Sequence, residues 1–411
     1  MNPSLNFVLA TSVAAVTLAT ISTAQAGGFA IREQSAYGQG MSFAGVAAGG
    51  SLSSMFWNPA TLSQVMGLEF ESGISGVIPI SDVMVTTPLS FDEGDVGQDA
   101  LVPNSYGAYR VNDKIILGVG INGAFGLSTE YNPGGVIAGA GVAGLSEIFS
   151  LNVNPNVAYQ INDYVTIAAG LQVQYSDAEI NPVAGGVLLG LLEGDDISLG
   201  FTAGIHVMVS ENTEIGLGYR SGQEVDLDGT FAVAGTTYPT IASLELPDTV
   251  TFGIRHKIND YWRVMAGVEW ANWSRFDNVL AATNGPPGTI TLPFDYNDGW
   301  YFSAGAEYMW SDQLTLRGGV GWETSPLDEG NRTFRLPDDD RLWLSAGASY
   351  KANDRYSFDV GYSFLTTFDT QIASAAAGGP ASNGPFGGDA EANVHILSAA
   401  LKVKLGGHST P

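Results

Sequence analysis

Hydrophobic and polar residues alternate along much of this chain, with the two-residue period of a β-strand that has one apolar face. Within residues 165–176, Val165, Ile167 and Leu171 fall on one face, whereas Gln172 falls on the other. Runs of this kind recur almost to the C-terminus and are roughly ten to fourteen residues long, enough to cross a bilayer as tilted strands. The pattern therefore predicts a protein built mainly of long β-strands.

Short polar turns separate pairs of these runs at intervals of roughly 40 to 50 residues, which indicates a repeated unit. The turns are Asn112-Asp113, Asn162-Asp163, Ser210-Glu211-Asn212, Asn259-Asp260, Ser311-Asp312 and Asn353-Asp354. A strand on each side of every turn, a first strand at 68–78 and a last strand at 394–405 make about fourteen. An even number of strands with alternating short and long connections predicts an all-β fold, a transmembrane antiparallel β-barrel whose closure leaves no unpaired edge in lipid.

A β-propeller has a similar repeat length and is the main alternative architecture. A propeller blade fits four short strands into that length, whereas each repeat here holds two long ones. Aromatic residues also cluster at both ends of the apolar faces, as expected at two membrane interfaces. Those near the turns include Tyr159, Tyr164, Tyr261, Trp262, Trp310 and Tyr350, and those near the long loops include Tyr175, Trp270, Trp273, Trp300 and Trp322. The barrel is therefore the favoured fold.

The two ends of the chain lie outside the strand pattern. Residues 1–26 carry no charged side chain, are apolar in the middle, and end in Ala24-Gln25-Ala26, which predicts a cleaved signal peptide and export from the cytoplasm. Residues 27–67 are rich in Gly and Ser and do not alternate. We expect them to form a hatch in the lumen of a barrel at 68–405, with a periplasmic tail as the alternative. Residues 406–411 would form a short C-terminal tail.

Composition narrows the function. Charged residues make up 14% of the chain and the mean hydropathy is +0.11, yet no apolar run outside the leader reaches the roughly eighteen residues of a transmembrane helix. The net charge of −26 argues against a nucleic-acid partner. Cysteine is absent and the 4 histidines show no metal-ligand spacing, so we expect no cofactor, no bound metal and no enzymatic activity.

Residues on the predicted inward faces could contact a cargo. Inward glycines leave space in a lumen that about fourteen strands make too wide for side chains alone to fill. Inward charges fit ion pairs between wall and hatch, but Arg255 and Arg317 are candidate partners for a carboxylate on the cargo. These charges are Arg220, Arg255, Arg263, Glu269, Glu307, Arg317, Glu323 and Asp359. Among the mostly acidic long loops, residues 187–192 are apolar, which is typical of a binding surface.

Several sequence stretches resemble the long-chain fatty acid transporter family of outer membranes, which also includes aromatic-hydrocarbon channels. The N-terminal ones are GGFAIREQS at 27–35, FAG at 43–45 and Asn58-Pro59-Ala60. Others are FGLSTEY at 125–131, NVNPNVAY at 152–159, LPDTV at 246–250, WANWS at 270–274, and NR at 331–332 with PDDDR at 337–341. The resemblance spans almost the whole mature chain and implies a fourteen-stranded barrel with an N-terminal hatch.

The resemblance also implies a route for cargo. Capture in an apolar outer groove would involve Leu188, Leu189 and Leu192, and an inner site would involve Gly27 and Phe29. Release would be controlled by the hatch motif Asn58-Pro59-Ala60. Cargo would leave sideways at a kinked third strand, which carries Gly118, Gly120 and Gly123 and neighbours Pro155, a residue that cannot donate to the ladder.

The identity of the cargo stays open at this level. Long-chain fatty acids or similar lipophiles fit the resemblance, but the acidic loops would repel their anions at low salt. Neutral alkanes or aromatic hydrocarbons are therefore an alternative cargo, and a structural or adhesive barrel is an alternative function. We expect a monomer in contact with outer membrane lipid and lipopolysaccharide.

Overall fold

In the computed structural model the alternating runs form β-strands that hydrogen-bond into one antiparallel sheet. The structure describes residues 27–181, 183–184, 187–188, 190–286, 288–368 and 370–406. The predicted signal peptide at 1–26 and residues 407–411 of the predicted tail lie outside the described residues.

Fourteen long strands form the wall of the barrel, numbered here in chain order. They are β1 (Leu68–Thr87), β2 (Ala100–Arg110), β3 (Ile115–Asn122), β4 (Leu145–Gln160), β5 (Val165–Ile180), β6 (Leu191–Ser210), β7 (Thr213–Arg220), β8 (Thr249–Lys257), β9 (Trp262–Ala271), β10 (Gly299–Met309), β11 (Leu314–Glu323), β12 (Arg341–Lys351), β13 (Tyr356–Thr367) and β14 (Gly387–Leu405). Each strand pairs with the next, and β14 pairs back onto β1 from Leu68 opposite Leu405 to Thr87 opposite Gly387. This closed antiparallel barrel of fourteen strands confirms the predicted fold.

All six predicted turns join neighbouring wall strands at one end of the barrel. Four of them are fixed in the same way, because an Asn side chain caps the turn. The Asn112 Oδ1 atom accepts hydrogen bonds from the backbone N–H groups of Lys114 and Ile115, both at 2.9 Å. Asn162, Asn259 and Asn353 repeat this arrangement. Asn favours such turns because its short amide competes with the strand ladder for backbone groups.

The two faces of the wall differ as the alternation predicts. Leu171 is 49% exposed on the outer face, whereas the neighbouring Gln172 is 1% exposed on the inner face. Lipid can cover the exposed apolar side chains, and the inner face carries the polar ones. The predicted aromatic belts follow the same rule, except that Trp273 is 1% exposed and packs inside. It lies in the loop after β9, in a short helical turn at Trp273–Arg275 that directs its side chain inward.

Beyond the membrane the strands are longer than predicted, and the loops contain strands that the sequence analysis missed. The strand predicted at 68–78 continues to Thr87, and the one predicted at 394–405 begins at Gly387, because their extensions pair with each other. Four loop strands pair in series into an outer sheet: Gln223–Val233, Thr236–Leu246, Asn278–Thr283 and Thr289–Pro293. Smaller strands are Phe91–Asp95, Gly126–Glu130, Val183–Ala184, Val187–Leu188 and Thr370–Ile372.

Helical segments in the described residues are short. The α-helical turns are Ala36–Gln39 and Val136–Gly139, and the 3-10 turns are Val46–Ala48, Leu52–Phe56, Pro59–Gln64, Trp273–Arg275, Ala375–Ala377 and Ala381–Asn383. None of these helices has the length and apolar character needed to cross a membrane.

Residues 27–67, the N-terminal segment, pack against the inner face of the wall where that face carries glycine. A Cβ atom added to Gly347 would lie 2.7 Å from the Gly40 Cα atom, and one added to Gly216 would overlap the carbonyl oxygen of Ala47. The prediction that the inward glycines leave open volume is therefore wrong at these positions. These glycines let the backbone of the N-terminal segment approach the wall closely.

Candidate functional site

An apolar cavity lies beneath the outer sheet, between the long loops and the ends of the wall strands opposite the short turns. Its lining is mostly apolar, with two charged side chains, Glu193 and Arg335, and a predominantly apolar lining with few polar groups is typical of small-molecule sites. The apolar residues that line it are Phe29, Leu127, Ile148, Ala178, Ile180, Leu192, Leu227, Ala242, Leu244, Phe276, Val279, Phe294, Tyr296 and Leu336. Such a lining suits a hydrocarbon chain.

Phe29, near the start of the N-terminal segment, lines this cavity and packs against aromatic rings of the loop after β9. Its ring lies 4.7 Å from that of Trp273 and 5.1 Å from that of Phe276, both in edge-on geometry. A second, smaller apolar space lies beside Phe29, lined also by Phe125 and Leu246. Both spaces are lined by Phe29, Ile148, Ala178, Leu227 and Leu244, so the two adjoin one another.

One cation, Arg335, lines the apolar cavity. Its Nη1 atom donates to the Ser146 hydroxyl at 2.8 Å and its Nη2 atom to the Asn181 carbonyl at 2.6 Å. Among the described residues no carboxylate lies within ion-pair distance of it. Burial lowers the pKa of Arg335 to about 10, so the guanidinium still carries its charge at neutral pH. The cavity thus combines apolar walls with the guanidinium of Arg335, which forms no ion pair among the described residues, although the carboxylate of Glu193 also belongs to the lining.

The barrel wall is interrupted beside this site, between β2 and β3. Residues 105–110 of β2 pair with β3, but residues 100–104 have no partner on that side, because β3 ends at Asn122 and the chain turns inward. The ladder resumes only above, where Gly97 bridges to Thr129. The result is a window in the wall, bordered by residues 100–104 on one side and 123–126 on the other.

Residues 29–34, which we call the strap, cross the inner side of this window. On the β3 side Ala30 forms a β-bridge with Phe125, the Ile31 N–H donates to the Ala124 carbonyl at 2.9 Å, and the Gly126 N–H donates to the Phe29 carbonyl at 2.9 Å. The strap thus supplies the hydrogen bonds that residues 124–126, just after β3, would take from β2 in a continuous ladder.

The other end of the strap is bonded to β1 and β2. The Tyr106 hydroxyl donates to the Gln34 carbonyl at 2.9 Å, and the Ser75 hydroxyl donates to the Glu33 carbonyl at 3.3 Å. Between the two ends, Arg32 forms ion pairs with Glu269 at 2.7 Å and with Glu323 at 3.0 Å. The sequence analysis expected such ion pairs between the wall and the N-terminal segment, and these two confirm the expectation.

The Asn58-Pro59-Ala60 motif anchors the middle of the N-terminal segment. The Asn58 Oδ1 atom accepts from the Ala60 N–H at 3.0 Å and caps the 3-10 turn Pro59–Gln64. Its Nδ2 atom donates to the Ala47 carbonyl at 2.6 Å and to the Ile205 carbonyl on β6 at 3.0 Å. One buried amide therefore joins two parts of the segment to the wall.

Comparison with known proteins decides the family. The model of the family described as outer membrane protein transport protein (OMPP1/FadL/TodX) matches residues 16–404. This chain belongs to that family. The long-chain fatty acid transport proteins of Salmonella typhi and Escherichia coli K12 are 27% and 26% identical to it, and each match covers 86% of this chain and 91% of the relative.

Solved structures agree on the fold. A FadL homologue from Pseudomonas aeruginosa superposes with a TM-score of 0.82 at 20% identity, covering 92% of this chain and 99% of the other. The toluene transporter TodX of Pseudomonas putida superposes with a TM-score of 0.70 at 18% identity, with the same coverage of both chains. The family assignment confirms the resemblance read from the sequence, and it makes this FadL/TodX-type protein an outer membrane transport barrel and not an enzyme.

The predicted binding residues of this FadL/TodX-type barrel fall in different places. Phe29 and Leu192 line the same apolar cavity. Gly27 is not among the lining residues; it lies beside the Glu323 carboxylate, and the N–H of Gly28 donates to Asp338 at 3.1 Å. Leu189 and the side chain of Leu188 lie outside the described residues, so their part in an outer groove stays a prediction.

Arg255 and Arg317 lie lower in the barrel, near the turns, in a network of charges. Arg317 forms ion pairs with Glu307 at 3.0 Å and Asp359 at 3.3 Å, and its guanidinium lies 4.1 Å from the ring centre of Tyr37. Arg255 donates to the Tyr37 hydroxyl at 2.9 Å. Both therefore hold the N-terminal segment through Tyr37, and neither lines the apolar cavity. A role in binding a cargo carboxylate stays a prediction for them.

Of the four residues predicted for a lateral opening, one lies at the window and three lie in paired parts of β3 and β4. Gly123 borders the window, and the strap residue Gln34 donates an amide hydrogen bond to its carbonyl. Gly118 and Gly120 lie within the paired part of β3, and Pro155 lies opposite Val119 in a continuous β3–β4 ladder. The missing N–H of Pro155 affects the other side of β4, where the pairing with β5 skips Asn154 and Pro155. The interruption next to β3 therefore faces β2, not β4.

Arg335 and most of the aromatic wall of the cavity were not predicted from the sequence. Phe276 and Tyr296 come from the long loop between β9 and β10 and Arg335 comes from the loop between β11 and β12, where no periodicity marks them. The outer sheet did carry a signal, because Val225, Leu227 and later residues alternate with polar ones as in the wall strands.

Proposed function

We propose that this barrel takes up long-chain fatty acids by passive diffusion across the outer membrane. The observation that carries the proposal is the apolar cavity with a single cation, Arg335, at its edge. A fatty acid has the matching shape, one long apolar chain with one carboxylate at its end. Relatives from two bacteria are named long-chain fatty acid transport proteins, which supports this cargo.

In the bound state the hydrocarbon chain lies among Phe29, Leu192, Phe276 and their neighbours, and the carboxylate pairs with Arg335. Removing apolar surface from water contributes about 25 cal/mol per Å², so the tail supplies most of the binding free energy. The charge-assisted hydrogen bond to Arg335 adds selectivity for an acid over a neutral hydrocarbon. Toluene, which the TodX relative is named for, offers no partner for this cation.

Release depends on the strap, and residues 27–67 act as the hatch of the barrel. Phe29 lines the cavity with its side chain and accepts a hydrogen bond from Gly126 with its carbonyl. A cargo that displaces the Phe29 ring therefore disturbs the hydrogen bonds by which the strap covers the window. Cargo then leaves sideways into the membrane between β2 and β3, without crossing the polar periplasmic end of the lumen. Capture at the outer loop around Leu188, Leu189 and Leu192 precedes these steps.

Filling the cavity tests the proposal. Ala242→Trp places a large side chain in the cavity, whereas Ile241→Trp, on the same loop strand, points to the opposite face, where Ile241 is 50% exposed. We expect the first variant to abolish uptake of labelled oleate into cells that lack other fatty acid channels, and the second to retain it. Equal uptake by both variants would show that oleate does not travel through this cavity.

A further inference from the structure

Three carboxamide side chains form a row on the inner wall below the cavity. Asn122 on β3 lies opposite Asn152 on β4, and Asn152 lies opposite Gln174 on β5. Residues directly opposite each other in a ladder point to the same face. All three are buried, at 1% exposure or less. The three amides therefore lie side by side on the inner surface of the barrel.

Most hydrogen-bonding capacity of this row is unused. Among the described residues, both amide atoms of Asn122, the Oδ1 atom of Asn152 and the Oε1 atom of Gln174 have no hydrogen-bond partner. The remaining groups are partnered: the Asn152 Nδ2 atom lies 3.5 Å from the Gln172 Oε1 atom, and the Gln174 Nε2 atom donates to the Ser176 hydroxyl at 3.2 Å. Burying a polar atom without a partner costs about 1–3 kcal/mol, so four such atoms in one row need an explanation.

The amide and hydroxyl groups lower on the same wall have hydrogen-bond partners. Thr202 donates to Asn156 at 2.9 Å, and Asn154 donates to the carbonyl of Leu171 at 2.7 Å. Arg220 is bonded to Gln172. The amide and hydroxyl groups below the row are thus bonded, and the Nε atom of Arg220 is the unpartnered atom among these four residues and Gln172, whereas the row has four free atoms for another molecule.

The position of the row connects it to the route of the cargo. Two residues above Asn152 and Gln174, on the same faces, Ser150 and Ser176 line the second apolar space beside Phe29. At the other end of the row Asn122 is followed directly by Gly123, which borders the window. A molecule whose tail occupies that apolar space can therefore place its polar head against the row, next to the window.

We propose that this amide row is a subsite for an uncharged head group that carries a hydroxyl, such as a primary alcohol or a protonated carboxylic acid. The unused atoms are three acceptors and one amide nitrogen, and a hydroxyl donates to the first and accepts from the second. A carboxylate has no hydrogen to donate and would leave the three oxygens unpaired. The inference rests on the proposed function, because it places a second, neutral head site after the cationic one at Arg335.

Binding of 1-hexadecanol and hexadecane to the full-length protein in detergent tests this site. We expect the alcohol to bind more tightly than the alkane. Asn152→Leu and Gln174→Met keep the side-chain size and remove the amide, so each should weaken 1-hexadecanol binding roughly fivefold and leave hexadecane binding unchanged. Thr202→Val, which alters the hydrogen bonds below the row, should leave both affinities unchanged.

The outcomes separate this inference from the proposed function. If oleate binds to the wild type but neither amide variant weakens 1-hexadecanol binding, the row is not a head-group site and the proposed function stands. If oleate fails to bind to the wild type, the proposed function itself is wrong. Heat-modifiable mobility in gel electrophoresis shows whether each variant is folded, and the two amide variants lie on different strands, so one folded variant is enough to decide.

Discussion

Replacing Arg335 by Met tests whether the cavity recognises a carboxylate. The substitution keeps an unbranched apolar side chain of similar reach and removes the guanidinium that donates to Ser146 at 2.8 Å and to Asn181 at 2.6 Å. The residue lies in the loop between β11 and β12, outside the wall. The barrel should therefore assemble normally in the variant, while the cavity loses its charge.

The expected magnitude follows from the contact that is lost. A hydrogen bond to a charged partner contributes about 1.5–3 kcal/mol, which corresponds to a loss of affinity of roughly ten- to 150-fold. Because Arg335 is partly exposed and solvent screens its charge, we expect the lower end of this range. Binding of a neutral alkane should not weaken, since its contacts are with the apolar lining.

Competition binding of labelled oleate against unlabelled oleate and hexadecane measures both effects. Arg335→Lys is the matched control, because it keeps the charge but not the paired donors, and it should fall between wild type and Arg335→Met. An Arg335→Met variant that binds oleate as the wild type does would refute the assignment of Arg335 as the carboxylate partner. Equal weakening of oleate and hexadecane would instead indicate a damaged cavity.

Two further variants examine the N-terminal segment. Arg32→Met removes the ion pairs to Glu269 and Glu323. It leaves both carboxylates without a cation, at a cost of about 3–5 kcal/mol in the free energy of unfolding. We expect a looser strap and faster oleate uptake in proteoliposomes, and slower uptake would contradict this. Gly216→Ala places a methyl group against the Ala47 carbonyl and should make residues 27–67 sensitive to proteinase K. Gly76→Ala is its control, because the nearest atom would lie 3.8 Å away; equal sensitivity would mean that Gly216 does not seat the segment.

The sequence predicted the wall of this barrel because the wall obeys a local rule. A strand with lipid on one side and a polar interior on the other must alternate, as Leu171 and Gln172 do, and Asn turns such as that at Asn112 mark where each pair of strands reverses. Both signals lie within a few neighbouring residues, so they can be read without knowledge of the fold.

The site could be predicted only in part, because it joins residues that are far apart in the chain. Phe29 and Leu192 were found through the resemblance and an apolar run, whereas Arg335 and Phe276 have nothing in their local sequence that marks them. Arg317 shows the opposite error, because an inward charge can serve a ligand or a neighbouring carboxylate, and only the fold places Glu307 3.0 Å away. The side of β3 on which the window opens likewise depends on pairing, not on composition.

The central claim is that the strap must leave the window before cargo can pass, and a reversible crosslink tests it most directly. Ala30 and Phe125 form a β-bridge in which the hydrogen bonds run between their neighbours and not between the two residues themselves. The Cα atoms of such a pair lie about 4.5 Å apart, which is close enough for a disulfide. The chain has no cysteine, so Ala30→Cys with Phe125→Cys gives one defined crosslink. We predict that the oxidised protein binds labelled oleate but does not transport it into proteoliposomes, and that reduction restores transport. Equal transport in both states would contradict the account.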